Sequence, residues 1–250
     1  DEVVEWQRDL LGDAPSLYST NRKWVETPDG YIAAIDLQPV QANLNTPVTD
    51  LPQQSSEKGM WVEVTVPYVD LNLANAPAKS PLLIEDPTAY RFYYSQVFWV
   101  SDVMVDGDGN TLYRVLEKHG SYGDEFWADA RAFKQITPED LSPISPDVQD
   151  KSIVVDVTHQ TLSCYEGTRE VLYATVSTGA QYFNTGAASG DEWATPIGDY
   201  FAVNRKFISL HMGGGNNKAS GYEDFAVSYT SIFATGGVSF HSTYWHNAWG

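Results

Sequence analysis

Short runs of alternating apolar and polar residues recur along the chain, a pattern typical of β-strands. Residues 61–66 read Trp-Val-Glu-Val-Thr-Val, and residues 90–105 form a longer aromatic and β-branched run. Further runs, separated by residues that favour tight turns, lie at 112–117, 126–128, 152–157, 161–165 and 171–177. The chain is therefore predicted to be mainly β. One short helix is predicted at residues 3–11, ending at Gly12.

Composition and spacing divide the chain into three predicted regions. Residues 1–58 form an N-terminal extension with a partial hairpin around residues 28–30 and a linker rich in Asn, Thr, Pro, Gln and Ser. Residues 59–148 form a β domain that weakly echoes the first hairpin and resembles a small SH3-like barrel, the kind that holds wall polymer or spaces domains in bacterial envelope proteins. After a proline-rich linker, residues 149–250 form the last domain.

The charge balance narrows the range of partners. The 250 residues include 15 basic and 33 acidic side chains, a net charge of −18. An acidic chain is a poor partner for nucleic acid or an anionic membrane surface, since both require a basic face. Residues 151–250 contain only 5 basic and 8 acidic side chains, a net charge of −3, so the acidity belongs mainly to the N-terminal part. No run of 18 apolar residues is present, and we predict no transmembrane segment.

The sequence gives little support for a metal site or for a reactive thiol. The stretch 106–110, Asp-Gly-Asp-Gly-Asn, lies between predicted strands and lacks the downstream ligands of a calcium loop, which favours a hairpin turn. His119 and His159 lie in polar turns, and no cysteine pair or His-Glu-x-x-His pattern accompanies the other histidines. We therefore predict no metal and no cofactor. Cys164, the only cysteine of these residues, lies in the middle of a strand, which favours an inert packed thiol over a nucleophile.

The main candidate for a functional site is the segment 237–250. There a strand-like run leads to His241 and then to a cluster of aromatic and polar side chains. Four pieces before and within this stretch resemble, in order and spacing, the first part of an L,D-transpeptidase catalytic domain of the YkuD kind. They are a hairpin opening at residues 153–162, the strand end at 176–179, the Thr-Pro-Ile-Gly element at 195–198, and the Phe-His-Ser-Thr element at 240–243. The resemblance covers about the last 100 residues and implies an incomplete β-sandwich or barrel of that type.

The resemblance assigns roles to individual residues. His241 is the implied general base, and Ser242 orients its imidazole through a backbone carbonyl. The implied substrate-binding residues are His211, Thr243, Tyr244, Trp245 and His246. The implied substrates are peptidoglycan stem peptides, and the implied location is the extracytoplasmic bacterial envelope. The oligomeric state is not predicted.

The family's nucleophilic cysteine follows this histidine in a Ser-His/Arg-Gly-Cys element, and no cysteine occurs in residues 242–250. We expect the gene product to continue past Gly250 to that cysteine, and these 250 residues to be inactive without it. Two other hypotheses remain open. The same domains could form a non-catalytic wall-binding or structural protein, or the aromatic residues after His241 could be packed at the edge of a sheet.

Overall fold

The computed structural model of this protein describes residues 3–15, 22–54, 56–85, 91–179, 194–198, 201–214, 222–246 and 249. Within these residues most regular structure consists of β-strands in several small sheets, none of them closed into a barrel. The predicted mainly β fold class is therefore confirmed. No helix within the described ranges is long and apolar enough to cross a membrane.

The strands of the first 136 residues are β1 (Arg8–Leu11), β2 (Lys23–Thr27), β3 (Gly30–Ala33), β4 (Gln53–Gln54), β5 (Glu57–Lys58), β6 (Met60–Val64), β7 (Tyr68–Asp70), β8 (Asn72–Leu73), β9 (Arg91–Tyr93), β10 (Val97–Val105), β11 (Thr111–Leu116), β12 (Glu125–Asp129) and β13 (Phe133–Ile136). The later strands are β14 (Lys151–Asp156), β15 (Thr161–Glu166), β16 (Arg169–Thr175), β17 (Arg205–Gly214), β18 (Tyr222–Ile232) and β19 (Ser239–Phe240). In the described parts of the chain the helices are one α-helix, α1 (Pro81–Glu85), and 3-10 turns at Ala34–Asp36, Ala130–Ala132 and Thr235–Gly237.

Two compact units make up the chain. The first comprises residues 1–38, 143–201 and 245–250, and the second comprises residues 39–142 and 202–244. The sequence domains predicted at 1–58, 59–148 and 149–250 stay predictions.

The first unit contains two separate three-stranded antiparallel sheets. Strands β1, β2 and β3 form one, and β14, β15 and β16 form the other. The helix predicted at residues 3–11 is wrong, because residues 8–11 are a strand paired with β2, with Arg8 opposite Glu26. Arg8 and Glu26 also form an ion pair, and Lys23 lies 2.9 Å from Asp9. Pairing with a neighbouring strand has overridden a weak local helix propensity.

The second unit is built around a six-stranded sheet in the order β13-β6-β10-β11-β12-β8. Its strands alternate buried and less buried residues, as the hydrophobic pattern of residues 61–66 predicted. The buried face is dominated by large side chains, among them Phe98, Tyr113, Phe126 and Phe133. The predicted turn at residues 106–110 is confirmed as the connection of the β10–β11 hairpin. Its first carboxylate, of Asp106, accepts the backbone N–H groups of Asp108 and Asn110.

A second sheet of this unit has the order β17-β18-β19, and His241 directly follows its last strand. β17 and β18 pair over most of their length, with a register shift between Leu210 and Met212. The sheet is attached to the six-stranded sheet by buried polar side chains. For example, the Ser209 hydroxyl donates to the Val97 carbonyl of β10 at 2.6 Å. Residues 202–244 therefore share one compact unit with residues that lie far upstream.

Candidate functional site

His241 directly follows β19, the short last strand of its sheet. β19 pairs with the end of β18 through Ser231 opposite Phe240 and Ile232 opposite Ser239. This pairing places the histidine at the edge of the sheet, and its side chain is exposed. The sequence predicted this arrangement of a strand followed by a histidine at a turn.

The His241 ring has a defined orientation. Its Nδ1 lies 2.8 Å from the carbonyl oxygen of Ser242. Because a carbonyl oxygen only accepts hydrogen bonds, Nδ1 must carry the proton in this contact. In the neutral ring the basic lone pair is therefore on Nε2, which is the tautomer that a general base acting through Nε2 requires.

Ser242 is anchored to β18 by contacts to a single residue. Its backbone N–H donates to the Ser228 carbonyl at 3.3 Å, and its hydroxyl approaches the same carbonyl at 3.1 Å. The two hydroxyl oxygens are 2.6 Å apart. Ser228 is itself buried. The carbonyl that orients His241 therefore belongs to a residue held firmly against the sheet.

Thr243 and Tyr244, the two residues after Ser242, are the last residues of the second unit. Thr243 is half-buried, and the Tyr244 ring stacks on Tyr93 with 6.1 Å between centroids and 8° between planes. Burial raises the pKa of Tyr244 well above its ordinary value, and a hydrogen bond from the Phe225 backbone opposes this. Tyr244 is thus a neutral hydrogen-bonding group. Burial also raises the pKa of Asp224, while the nearby imidazoles of His241 and His211 act to lower it.

Trp245 and His246 belong to the first compact unit. Trp245 is exposed, and its ring meets that of His246 edge-on at 6.0 Å. The His246 ring also lies 5.0 Å from that of Trp249. The three rings form a small aromatic cluster. Their assignment to substrate binding stays a prediction.

His211 is enclosed rather than exposed. Its Nδ1 lies 2.9 Å from Glu117 Oε2 and its Nε2 3.8 Å from Glu223 Oε1, with about 4% of its side chain exposed. Burial alone lowers the pKa of His211, but the hydrogen bond and charge of Glu117, with the charge of Glu223, outweigh burial and raise it. The ring therefore forms part of a buried polar network. Its predicted role in substrate binding is not tested by this geometry.

Three of the segments that resemble the family, at residues 153–162, 176–179 and 195–198, are linked by side-chain hydrogen bonds within the first unit. Gln160 donates through Nε2 to the Thr178 hydroxyl at 2.6 Å and accepts the Thr178 N–H at 2.8 Å. The Gly179 N–H donates to the Thr195 hydroxyl at 2.9 Å. Residues 160, 178–179 and 195 are thus linked although they are distant in sequence. The sequence from Thr195 to Phe201 also predicts a strand. This prediction is wrong at residues 195–198 and 201, which form no strand, and Asp199 and Tyr200 lie outside the described residues.

Cys164 lies within β15 and is half-buried. Burial raises the pKa of its thiol. A high thiol pKa opposes nucleophilic catalysis at neutral pH, because the thiolate is the reactive form.

We expect a thiol-reactive probe to label Cys164 slowly at pH 7 in the folded 250-residue protein, with a rate that rises continuously to pH 9 and above. The same protein unfolded in urea should react like an ordinary exposed cysteine and serves as the control. A labelling rate that reaches a plateau near neutral pH would show an activated thiolate and contradict this prediction.

No group of three or more His, Cys, Asp or Glu side chains that could hold a metal ion occurs among the described residues. Several residues that shape the site gave no signal in the sequence. Ser228, Gln96 and Glu117 are buried polar residues, and the last two lie outside the resemblance. Gln96 and Glu117 reach β18 only through the tertiary fold, whereas Ser228 is part of that strand.

A family model describing the L,D-transpeptidase catalytic domain, YkuD, matches residues 150–250. No curated protein and no solved structure matches the chain. The matched range includes β14 to β19 and the His241–Ser242 pair, and it confirms the family resemblance of the last 100 residues. The C-terminal part of this chain is therefore similar to the catalytic domain of L,D-transpeptidases.

Proposed function

We propose that this protein is a peptidoglycan L,D-transpeptidase of the bacterial envelope, with His241 as its general base and Ser242 as the residue that orients it. The family match at residues 150–250 supports this function. The observation that carries the assignment is the 2.8 Å contact from His241 Nδ1 to the Ser242 carbonyl. It presents Nε2 as the basic nitrogen, and proton transfer to or from such a group contributes about 10²–10⁴-fold to enzymatic rates.

The proposed reaction is acyl transfer through a thioester. Nε2 of His241 takes the proton of a cysteine thiol, and the thiolate attacks a carbonyl carbon of a stem peptide. The tetrahedral intermediate collapses as the imidazolium returns the proton to the leaving D-amino acid. The amine of a second stem then attacks the thioester, and the thiol is regenerated as the cross-link forms. The thiol in this proposal is not Cys164, whose pKa is raised by burial.

The proposal extends to the neighbouring side chains. Thr243, Tyr244, Trp245 and His246 would contact the stem peptide, and hydrogen-bonding hydroxyls with aromatic faces suit a peptide bearing polar groups. We also propose that the β-rich residues 59–148 form an SH3-like domain.

A carbapenem tests the proposal because it mimics the acyl donor. The protein as its gene encodes it should gain the mass of one carbapenem, and peptide mapping should place the adduct on a cysteine other than Cys164. An adduct on Cys164, or no adduct at all, would contradict the proposed function. Binding to purified peptidoglycan without any adduct would support a wall-binding protein instead.

A further inference from the structure

One peptide group in β18, between Phe225 and Ala226, is bound by two buried side chains from the part of the chain before residue 142. Its carbonyl accepts a hydrogen bond from Gln96 Nε2 at 2.6 Å. Its N–H donates to Glu117 Oε1. Gln96 and Glu117 are 2% and 7% exposed. Both polar ends of a single peptide group are therefore satisfied by side chains rather than by a neighbouring strand.

The peptide group lies in a bulge that needs such support. The register shift of the β17–β18 pair leaves Phe225 and Ala226 opposite His211 alone. Ala226 has φ of +52°, in the left-handed region, and is fully buried. A non-glycine residue in this sparsely populated backbone region is strained and persists only when its surroundings hold it there. Gln96 and Glu117 supply that constraint.

Both side chains are themselves fixed. Gln96 Oε1 accepts the backbone N–H of Tyr93 at 2.6 Å, and Glu117 Oε2 lies 2.9 Å from His211 Nδ1. The Gln96 amide therefore has a set orientation, and the Glu117 carboxylate binds one partner with each oxygen. We refer to Gln96 and Glu117 together with the 225–226 peptide group as the bulge clamp.

The bulge clamp leads directly to the candidate base. Ser228, two residues after Ala226, holds Ser242, whose carbonyl orients His241. The backbone of Phe225 also binds the Tyr244 hydroxyl. Residues 241–244 are thus attached to β18 at two points, one within the bulge and one two residues after it.

We propose that Gln96 and Glu117 are positioning residues for His241. Residues 39–142, which lie outside the matched range 150–250, would then form part of the scaffold of the site instead of serving only as a spacer. The consequence for catalysis rests on the proposed function. The consequence for the tautomer and orientation of His241 does not, and it is measurable in the 250-residue protein.

The first experiment measures the His241 tautomer by NMR with ¹⁵N-labelled histidine, using His241→Gln for assignment. Gln96→Met removes the bond to the Phe225 carbonyl at nearly constant volume. Loss of one hydrogen bond corresponds to about 0.5–1.5 kcal/mol, so the ratio of Nδ1-H to Nε2-H tautomer should fall by about 2- to 12-fold. Glu117→Gln keeps an acceptor for the Ala226 N–H and should change the ratio less than Gln96→Met.

Tyr113→Phe is the matched control, because it removes a partly buried hydrogen bond from the Val48 N–H in the same unit, and this bond involves no residue of the clamp. It should leave the tautomer ratio unchanged. An equal change in Tyr113→Phe, or no change in Gln96→Met when Ser228→Ala does change the ratio, would overturn the proposal.

Hydrogen exchange of the unmodified protein provides a test that needs no variant to fold. The Ala226 and Ser242 amides should exchange with the same opening free energy and the same dependence on denaturant. Exchange of Ser242 while Ala226 stays protected would show that the clamp does not hold the base and would overturn the proposal. Absence of a carbapenem adduct would contradict the proposed function and leave both of these readouts unaffected.

Discussion

His241→Gln is expected to slow acylation of the protein as its gene encodes it by about 10²–10⁴-fold, the range that a positioned general base contributes. The substitution removes the imidazole nitrogen that would accept the thiol proton, while the glutamine side chain keeps a polar group at an exposed position. The measurement is the rate of carbapenem adduct formation by intact mass, at saturating carbapenem and constant pH. Folding should be unaffected, because His241 is exposed at the end of a short edge strand.

His159→Gln is the matched control for that variant. His159 is also exposed and also has Nδ1 in a hydrogen bond, to Asp156 Oδ2 at 2.7 Å. It lies in the turn between β14 and β15, and its loss should leave the acylation rate unchanged. Equal rates for wild type and His241→Gln would contradict the assignment of the base.

Phe98→Ala is expected to lower the free energy of unfolding of the second unit by about 3–5 kcal/mol, the usual cost of deleting a buried phenylalanine ring. Phe98 is fully buried in β10, opposite Val62 of β6. Its ring stacks on Phe92 with 3.8 Å between centroids, and Phe92 in turn contacts Phe126 and Phe225. The substitution therefore leaves a cavity between the six-stranded sheet and the bulge.

Urea unfolding followed by near-ultraviolet circular dichroism measures this cost. Leu44→Ala is the control, because Leu44 is 67% exposed in the same unit and its truncation should change stability by no more than about 0.5 kcal/mol. A loss below about 1 kcal/mol for Phe98→Ala would show that this ring is not part of the core. Since the Phe225 carbonyl is part of the bulge clamp and its ring lies near Phe92, the variant should also increase hydrogen exchange at Ala226.

Local pattern predicted four of the six strands of the six-stranded sheet, namely β6, β10, β11 and β12. The alternation at residues 61–66 and the Asp-Gly-Asp-Gly-Asn turn describe β6 and the β10–β11 connection closely. Period-two alternation encodes a half-buried strand wherever one face packs on a core. The prediction failed at residues 3–11, where a weak helical pattern gave way to pairing with β2, a contact that no local pattern contains.

The roles of His241 as general base and Ser242 as its orienting residue were implied by the resemblance and stay predictions. The contact between His241 Nδ1 and the Ser242 carbonyl spans one residue, so the His-Ser pair contains both of its partners. The resemblance carried by these residues implied acyl-transfer chemistry, and the family match at residues 150–250 supports the same class.

Only the tertiary structure shows which residues lie where they can hold His241 and Ser242 in place. Gln96 and Glu117 reach the peptide group of the bulge across 129 and 109 residues of chain. A glutamine and a glutamate in the middle of a β-rich block are, in the sequence, ordinary polar residues. Their function depends on the burial of the 225–226 peptide group, whose carbonyl and N–H must each find a partner once water is excluded. The sequence by itself thus indicated the proposed chemistry of His241, whereas only the fold decided which residues lie where they can hold it in position, because those contacts join distant parts of the chain.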